Sequence, residues 1–364
     1  MEAGGYSKFT MPRVAGCDPG TSSLDVLVLD EGVVVDQVRF EPEQLRADPA
    51  APATWLAARG PFDLVAGPSG YGLPLVKASD CTDSQLELMS LVRPDERSAA
   101  AGVSAFSAVA RAFRDSKLPV VFLPGVIHLP SVPSHRKHNR IDLGTPDKLC
   151  VAALALERNA GTWTREGPIC VVELGTAFTA AIVLSEHGAI IDGVGGTSGA
   201  IGWKSGGCWD GEAAYLLSPL EKGDLFLGGA ASVADAEARR MVFIESLVRL
   251  VGGLCGLHEP YDRFEMIVIS GRLFALEPAF VDSLHLATVL APFARSMYQV
   301  LALGSLDGAW VKEAAQGAAI IADGLAGGQH AALVDEMKLK EASGSVLEWL
   351  VHPRAEHVRK WFGH

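Results

Sequence analysis

The chain has 364 residues, enough for two domains of ordinary size that each bury a substantial core. Hydrophobic residues make up 49% and charged residues 20%, which is typical of a soluble globular protein, and no apolar run reaches the 18 residues of a membrane-spanning helix. The formal charge of −12 would repel a polyanion, so nucleic acid is not an expected partner.

Residues 1–12 lack the apolar core of a signal peptide, so we expect a loose leader on a cytoplasmic protein. Three short apolar runs follow, at residues 13–17, 24–29 and 33–35, and their glycine and acidic boundaries predict a three-stranded meander. The first turn is Asp18-Pro19-Gly20-Thr21, where glycine lets backbone N–H groups approach an anion such as phosphate. Because the carboxylate would repel phosphate, we expect a cation between them, most simply Mg²⁺.

The next part of the chain predicts alternating helices and strands. They are a helix at 51–59, a strand at 62–66, a helix at 98–114 and a strand at 120–123. Strand, helix and strand imply a right-handed crossover to a parallel sheet. The strand at 62–66 runs into a loop with three glycines, where Ser69 and Tyr71 are candidate substrate contacts because ligands collect beyond the carboxyl ends of strands. A plain tight turn explains these glycines equally well.

A local positive segment follows at residues 135–140, which hold three formal cations and two histidines in an acidic chain. Such charge runs are usually solvated loops. This one leads through Asp147-Lys148 into a predicted helix at 148–158, directly before the next meander. We therefore expect it to border a ligand site.

A second copy of the first meander begins at residue 169, with strands predicted at 169–172, 180–184 and 189–191. Adding 155 to four residue numbers gives the same or a similar residue: Asp18 and Glu173, Gly20 and Gly175, Thr21 and Thr176, Leu29 and Leu184. The repeat then slips by one residue, from Gly32 to Gly188, as expected if one turn is a residue longer. A single acid-x-Gly-Thr turn is a weak signal, but its duplication is a specific one.

The glycines of 193–211 predict close backbone packing or a mobile flap. The other predicted elements are helices at 231–250, 316–328 and 331–342 and a strand at 265–269 that ends in Ser270-Gly271-Arg272. The six cysteines form no Cys-x-x-Cys pair, so neither a zinc site nor a disulfide framework is expected.

The paired turns resemble those of the duplicated actin-like (ribonuclease H-like) fold of acetate and sugar kinases, heat-shock chaperones and actin. The resemblance implies an α/β protein in which two domains, 13–145 and 146–330, hold ATP across a cleft, with a helical tail at 331–364. The superfamily usually has Asp where this chain has Glu173. On the resemblance, Mg²⁺ is placed by Asp18 and Glu173, and the nucleotide is bound by Asp18, Gly20, Thr21, Ser22, Glu173, Gly175, Thr176, Thr179, Ser270, Gly271 and Arg272.

Four segments, at 16–22, 67–72, 139–148 and 322–328, resemble an uncharacterised prokaryotic family called predicted butyrate kinase. This resemblance implies ATP-dependent phosphorylation of a short-chain carboxylate to an acyl phosphate. The small residues of 316–328 also resemble the superfamily's second connecting helix, where two helices cross closely.

A carboxylate acceptor needs positive charge and no base, whereas an alcohol needs a general base. We expect His135 and Arg136 to bind an acidic acceptor and Arg140 and Lys148 to act in catalysis. Asp147 stands where sugar kinases place their base, so both acceptors stay open. A nucleotide-dependent activator that acts on a partner protein and an acyl-phosphate-forming ligase are further alternatives. We expect a small-molecule substrate, no membrane partner and, as one form of assembly, a homodimer.

Overall fold

The structure is a computed structural model that describes residues 11–20, 23–97, 101–258, 262–273 and 282–363. It contains two mixed β-sheets with helices packed against them. The strands are β1 (Arg13–Pro19), β2 (Leu24–Asp30), β3 (Val33–Phe40), β4 (Leu64–Ala66), β5 (Val76–Lys77), β6 (Val120–Phe122), β7 (Ile169–Leu174), β8 (Thr179–Leu184), β9 (Ile190–Val194), β10 (Met266–Ser270) and β11 (Val300–Ala302). The α-helices are α1 (Pro42–Ala47), α2 (Ala51–Ala57), α3 (Asp83–Ser90), α4 (Ala101–Arg114), α5 (Ser134–Lys137), α6 (Pro146–Asn159), α7 (Gly211–Leu217), α8 (Ala236–Cys255), α9 (Ser283–Leu290), α10 (Glu313–Leu325), α11 (Ala331–Glu336) and α12 (Ala355–Lys360).

The two sheets share one strand arrangement. The first has the order β3-β2-β1-β4-β6-β5 and the second the order β11-β10-β7-β8-β9. In each, an antiparallel meander is extended by two parallel strands beside its first strand. This confirms the predicted duplication, and β4 and β6 are parallel as predicted. The short edge strand β5 has no counterpart in the sequence prediction.

The two meanders correspond residue by residue. A register shift lies just before Leu29 in β2 and just before Leu184 in β8, positions that differ by 155. The turns that follow contain Gly32 at φ +77° and Gly188 at φ +81°, in the left-handed region that glycine adopts without steric cost. The second turn is one residue longer, which is the origin of the slip in the repeat.

Helices α6 and α10 cross between the sheets. α6 packs on β7 and β8, whereas α10 packs on β1, β2 and β4. A Cβ on Gly317 of α10 would lie 1.8 Å from the carbonyl oxygen of Cys150 in α6. A Cβ on Gly16 of β1 would lie 2.1 Å from the backbone nitrogen of Ala319. The close helix crossing predicted for 316–328 is therefore present, and it depends on glycine.

Helix α8 is displaced from its predicted range of 231–250. Asp235 caps the helix by accepting a hydrogen bond from the backbone N–H of Ala238 at 2.7 Å, so the helix begins at Ala236 and residues 230–232 form a 3₁₀ turn. Its apolar face, including Phe243 and Leu247, packs on the second sheet. Neither α8 nor another helix in the described part of the chain is long and apolar enough to cross a bilayer.

The chain after α10 packs against the first half of the protein. The predicted helix 331–342 ends at Glu336 and is followed by a 3₁₀ turn. Backbone hydrogen bonds run from the N–H of Ser343 to the carbonyl of His128 at 3.0 Å and from the N–H of Asn139 to the carbonyl of Trp349 at 2.9 Å. These hydrogen bonds hold the C-terminal segment against the part of the chain that leads into α6.

Candidate active site

A cavity of about 710 Å³ is lined by residues from both halves of the chain. Its walls include twelve of the predicted site residues: Asp18, Gly20, Ser69, Tyr71, Asp147, Lys148, Glu173, Gly175, Thr176, Ser270, Gly271 and Arg272. The two acid-x-Gly turns therefore open onto the same space, although 155 residues separate them in the chain.

Lys148 pairs with both acidic residues on its side of the cavity. Its Nζ lies 2.7 Å from Oδ2 of Asp147 and 3.0 Å from Oε1 of Glu173. Oδ1 of Asp147 accepts a hydrogen bond from Thr145. Burial alone would raise the pKa of Asp147, but the charge of Lys148 and these hydrogen bonds hold that pKa below its ordinary value. Burial would lower the pKa of Lys148, but the two carboxylates raise it, so this ammonium stays charged.

Lys312 has the matching role beside the first turn. Its Nζ lies 3.3 Å from Oδ2 of Asp18 and 3.7 Å from Oδ1 of Asp25, and it donates a hydrogen bond to the carbonyl of Ser23 at 2.8 Å. Asp25 is also held by Arg39, whose Nη2 lies 2.8 Å from Oδ2. Lys312 is not predicted from the sequence, because a lone lysine before a helix has no motif of its own.

The two lysines occupy equivalent places in the duplicated fold. Lys148 lies in the first turn of α6 and Lys312 directly precedes α10. Each pairs with the acid near the end of the first strand of a meander, Glu173 or Asp18. The duplication thus extends to the crossing helices, and a lysine beside an acid at the start of both is the sequence signal for this pair.

Two carboxylate oxygens at the cavity have no hydrogen-bond partner among the described residues, Oδ1 of Asp18 and Oε2 of Glu173. Buried polar atoms are nearly always paired, so each such oxygen is available to a ligand. Burial raises the pKa of Asp18, although Lys312 opposes the shift, and burial raises the pKa of Glu173 to about 7. A cation would favour the ionised form of both.

These oxygens fit Mg²⁺, which takes one or two carboxylates from the protein and completes its octahedron with water and phosphate. Within the described ranges, no group of three or more His, Cys, Asp or Glu side chains could hold a metal without such additional ligands. The residues are consistent with a metal that binds together with a nucleotide.

The end of β10 forms another wall. Gly271 has φ +108°, and a Cβ at this position would lie 2.3 Å from the carbonyl oxygen of Leu174, so glycine is required here. Oγ of Ser270 is buried without a partner in the described part of the chain. Arg272 also lines the cavity. The adenosine contact assigned to these three residues remains a prediction.

Asp142, in the segment before α6, joins the two halves beside the cavity. Its Oδ2 accepts hydrogen bonds from the backbone N–H of Thr197 at 3.0 Å and from the hydroxyl of Thr197 at 2.7 Å. A Cβ on Gly195 would lie 1.7 Å from Oδ1 of Asp142. At this point the glycines of the 193–211 stretch reflect close packing.

Three predicted acceptor-binding or catalytic residues are not among those that line the cavity: His135, Arg136 and Arg140. Arg136 donates a hydrogen bond to the carbonyl of Ile191 at 2.8 Å and pairs with Asp192 at 3.3 Å. The other two are exposed. A local excess of positive charge in the sequence does not show which acidic group it pairs with. Here Arg136 pairs with Asp192 in β9 of the second sheet.

Three further predicted phosphate contacts are Thr21, Ser22 and Thr179. Thr21 and Ser22 lie outside the described residues. Thr179 is the first residue of β8, is buried and does not line the cavity. Their assignment to phosphate remains a prediction.

A family model described as "Protein of unknown function (DUF1464)" matches residues 16–352. The chain belongs to this family. The match spans both meanders and the two crossing helices. No curated protein is significantly similar to the chain in sequence.

Solved structures of kinases are similar in fold. Acetate kinase from Entamoeba histolytica matches with a TM-score of 0.52 and 11% identity, over 77% of this chain and 85% of that chain. A propionate kinase from Francisella tularensis subsp. tularensis SCHU S4 matches with a TM-score of 0.48 and 12% identity, over 78% and 87%. A ROK family glucokinase from Streptomyces griseus, in complex with glucose and AMPPNP, matches with a TM-score of 0.42 and 17% identity, over 85% and 99%. The likeness to acetate kinase confirms the predicted fold class, while the resemblance to predicted butyrate kinases stays a prediction.

Proposed function

We propose that the protein is an ATP-dependent kinase that transfers the γ-phosphoryl group to a small carboxylate and forms an acyl phosphate. The observation that carries this proposal is the pair of equivalent turns at one cavity, each with a buried carboxylate and a lysine. Asp18 with Lys312 and Glu173 with Lys148 are arranged alike on both sides. Such a pair suits a polyphosphate held between the two turns.

In this proposal, phosphate oxygens are bound by backbone N–H groups of the turn at Gly20 and by that of Thr176 in the second turn, since the N–H of Gly175 donates to the carbonyl of Phe178. The residues at 270–272 bind the nucleoside. Asp18 and Glu173 would hold Mg²⁺ through their unpartnered oxygens. When bound, Mg²⁺ neutralises charge on the phosphates during transfer. Lys148 and Lys312 oppose the rise in pKa that burial causes in Glu173 and Asp18, and they add positive charge beside the phosphates.

The state of Asp147 favours a carboxylate acceptor. A base for an alcohol needs an oxygen within reach of the hydroxyl and works best when its pKa is near the working pH. Both oxygens of Asp147 already accept hydrogen bonds, from Thr145 and Lys148, and its pKa is lowered. A carboxylate acceptor needs no base. Its oxygen bonds to the γ-phosphorus while the bond to the bridging oxygen breaks, and the electron pair leaves on ADP.

The alternative is a sugar or alcohol kinase in which Asp147 is the base, and it rests on the position of Asp147 in the cavity wall. A carboxylate kinase and a sugar or alcohol kinase are distinguished by trapping the product with hydroxylamine. Hydroxylamine converts an acyl phosphate to a hydroxamate and leaves a phosphate ester intact. Purified protein with Mg·ATP is assayed against carboxylates of two to six carbons, the matching alcohols and simple sugars.

We expect ADP release with a carboxylate and an equal amount of hydroxamate. ADP release only with an alcohol or sugar, and no hydroxamate, would replace the carboxylate reading with the alternative. Absence of acceptor-dependent ADP release across the whole panel, combined with absence of Mg·ATP binding, would reject the kinase proposal itself.

A further inference from the structure

The segment between α7 and α8 reaches from the second half of the protein to the first. It is anchored in the second half by the N–H of Gly229, which donates to the carbonyl of Lys204 at 2.8 Å. At its far end, the N–H of Lys222 donates to Oε2 of Glu96 at 2.7 Å, and Glu96 is itself paired with Arg93. This arrangement brings the side chain of Lys222 to the cavity wall.

Among the residues that the structure describes, the ammonium of Lys222 has no counterion in direct contact, and none accepts a hydrogen bond from its Nζ. The centroid of the Tyr71 ring lies 5.3 Å from this Nζ. The carboxylates that act on it at longer range are Asp142 and Glu96. Both already have closer partners, since Thr197 holds Asp142 and Arg93 holds Glu96. A partly buried cation with free hydrogen-bonding capacity therefore borders the cavity.

The walls near Lys222 on the first half are apolar. A Cβ on Gly70, next to Tyr71, would lie 2.3 Å from the carbonyl oxygen of Met89 and 2.9 Å from Cζ of Phe106, so these residues form one tight patch. Met89, Phe106 and Val109 all line the cavity. This patch offers apolar contact and few hydrogen bonds.

The second half supplies an aromatic pair, one ring of which is on the same segment as Lys222. Phe226, four residues further along, contacts Phe178 with ring centroids 4.9 Å apart in an edge-on arrangement. Phe178 is the last residue of the second turn, where its carbonyl accepts a hydrogen bond from the N–H of Gly175, so the aromatic pair connects the wall at Lys222 with this turn. Lys222 and the second phosphate turn are therefore on adjoining walls.

We propose that Lys222 binds the anionic group of the phosphoryl acceptor and that the apolar patch and the aromatic pair bind its hydrocarbon body. The acceptor is then a small carboxylate with a short apolar chain. This inference rests on the proposed kinase function and deepens it, because it names the residue that selects a charged acceptor. Lys222 would offset the electrostatic repulsion between the acceptor carboxylate and the phosphates. The segment at 135–140 does not line the cavity, so it does not supply this charge.

The test uses Lys222→Met, which keeps the length of the side chain and removes its charge, and Lys222→Arg, which keeps the charge. Lys204→Met is the matched control, because Lys204 is exposed, is near the base of the same segment and does not line the cavity. Three quantities are measured for each: the KM and kcat for the best carboxylate of the two-to-six-carbon panel, and the Kd of Mg·ATP by calorimetry.

We expect K222M to raise the acceptor KM at least tenfold, with the Kd of Mg·ATP changed less than twofold. K222R should restore most of the loss and K204M should match the wild type. The wild type should use carboxylates of three or more carbons better than acetate and should not use the matching alcohols.

An unchanged acceptor KM in K222M, or a wild type that phosphorylates only uncharged acceptors, overturns the assignment while leaving the kinase function in place. Failure of the wild type to bind Mg·ATP overturns both. A Kd for Mg·ATP that rises in K222M as much as the acceptor KM would show that Lys222 binds phosphate instead, and would also reject the assignment.

Discussion

Replacing Gly317 by alanine tests the helix crossing that positions both lysines of the site. In an ordinary helix interior, Gly→Ala stabilises the protein by about 1 kcal/mol. Here the added Cβ would lie 1.8 Å from the carbonyl oxygen of Cys150, whereas real Cβ contacts stay above 3.0 Å. The neighbour is backbone, so no side-chain rotation relieves the contact and α6 and α10 must separate by about 1.2 Å. Overpacking typically costs about 1–3 kcal/mol, and contact with rigid backbone places this case at about 3 kcal/mol. This outweighs the helix gain and leaves a net loss of about 2 kcal/mol.

Equilibrium urea denaturation, followed by far-UV circular dichroism, measures the effect. The matched control is Gly253→Ala in α8, where an added Cβ meets nothing within 4 Å, so we expect a small gain of up to about 1 kcal/mol. G317A should also weaken Mg·ATP binding, because Lys148 and Lys312 stand at the N-termini of the two displaced helices. If G317A is as stable as the wild type, the close crossing of α6 and α10 is wrong.

Two further predictions concern charged groups. Burial alone would lower the pKa of His330, but hydrogen bonds to Asp323 and Glu157 raise this pKa to about 9. The charged imidazolium therefore stabilises the fold fully below about pH 6.5, and this stabilisation is lost as the pH rises through about 9. His330→Gln should therefore lose about 3 kcal/mol at pH 6 and much less at pH 10 in urea denaturation, and a loss independent of pH would contradict the ion pair. Lys312→Met removes the cation beside the first turn, so it should weaken Mg·ATP binding at least tenfold by calorimetry. Equal affinity for Mg·ATP in K312M and in the control K204M would show that Lys312 does not take part in nucleotide binding.

The duplicated architecture could be predicted from the sequence because local residue patterns determine it. Short β-branched runs, turn glycines and an acid at a fixed offset recur after 155 residues, and the later slip to 156 marks the longer turn after β8. Boundaries were less reliable. Helix α8 begins at Ala236 and not at 231, because the cap at Asp235 determines the start and the apolar residues before it form a separate turn.

The site could be predicted where a local pattern marks it: at the two turns, at Ser69 and Tyr71, at Asp147-Lys148 and at residues 270–272. Lys312 and Lys222 come from segments far from those turns in the chain. Lys222 has no motif, and the signal of Lys312, an adjacent acid at the start of a helix, has meaning only when α6 and α10 are compared in the fold. The positive segment at 135–140 is the opposite case. Its composition is conspicuous in the sequence, but Arg136 is used by Asp192 and the carbonyl of Ile191. A cluster of basic residues in the sequence shows where cations are, but it does not show which anions they pair with.

The central claim is that the two equivalent turns hold one magnesium nucleotide between them. Isothermal titration of the purified protein with ATP, with Mg²⁺ and with the metal chelated, tests it directly when repeated with Asp18→Asn and Glu173→Gln. We predict one site per chain, dependence on Mg²⁺ and a loss of at least tenfold in affinity in each variant, because both carboxylates have a buried oxygen without a partner in the described structure. Absence of binding by the wild type, or affinity unchanged in both variants, would contradict the claim.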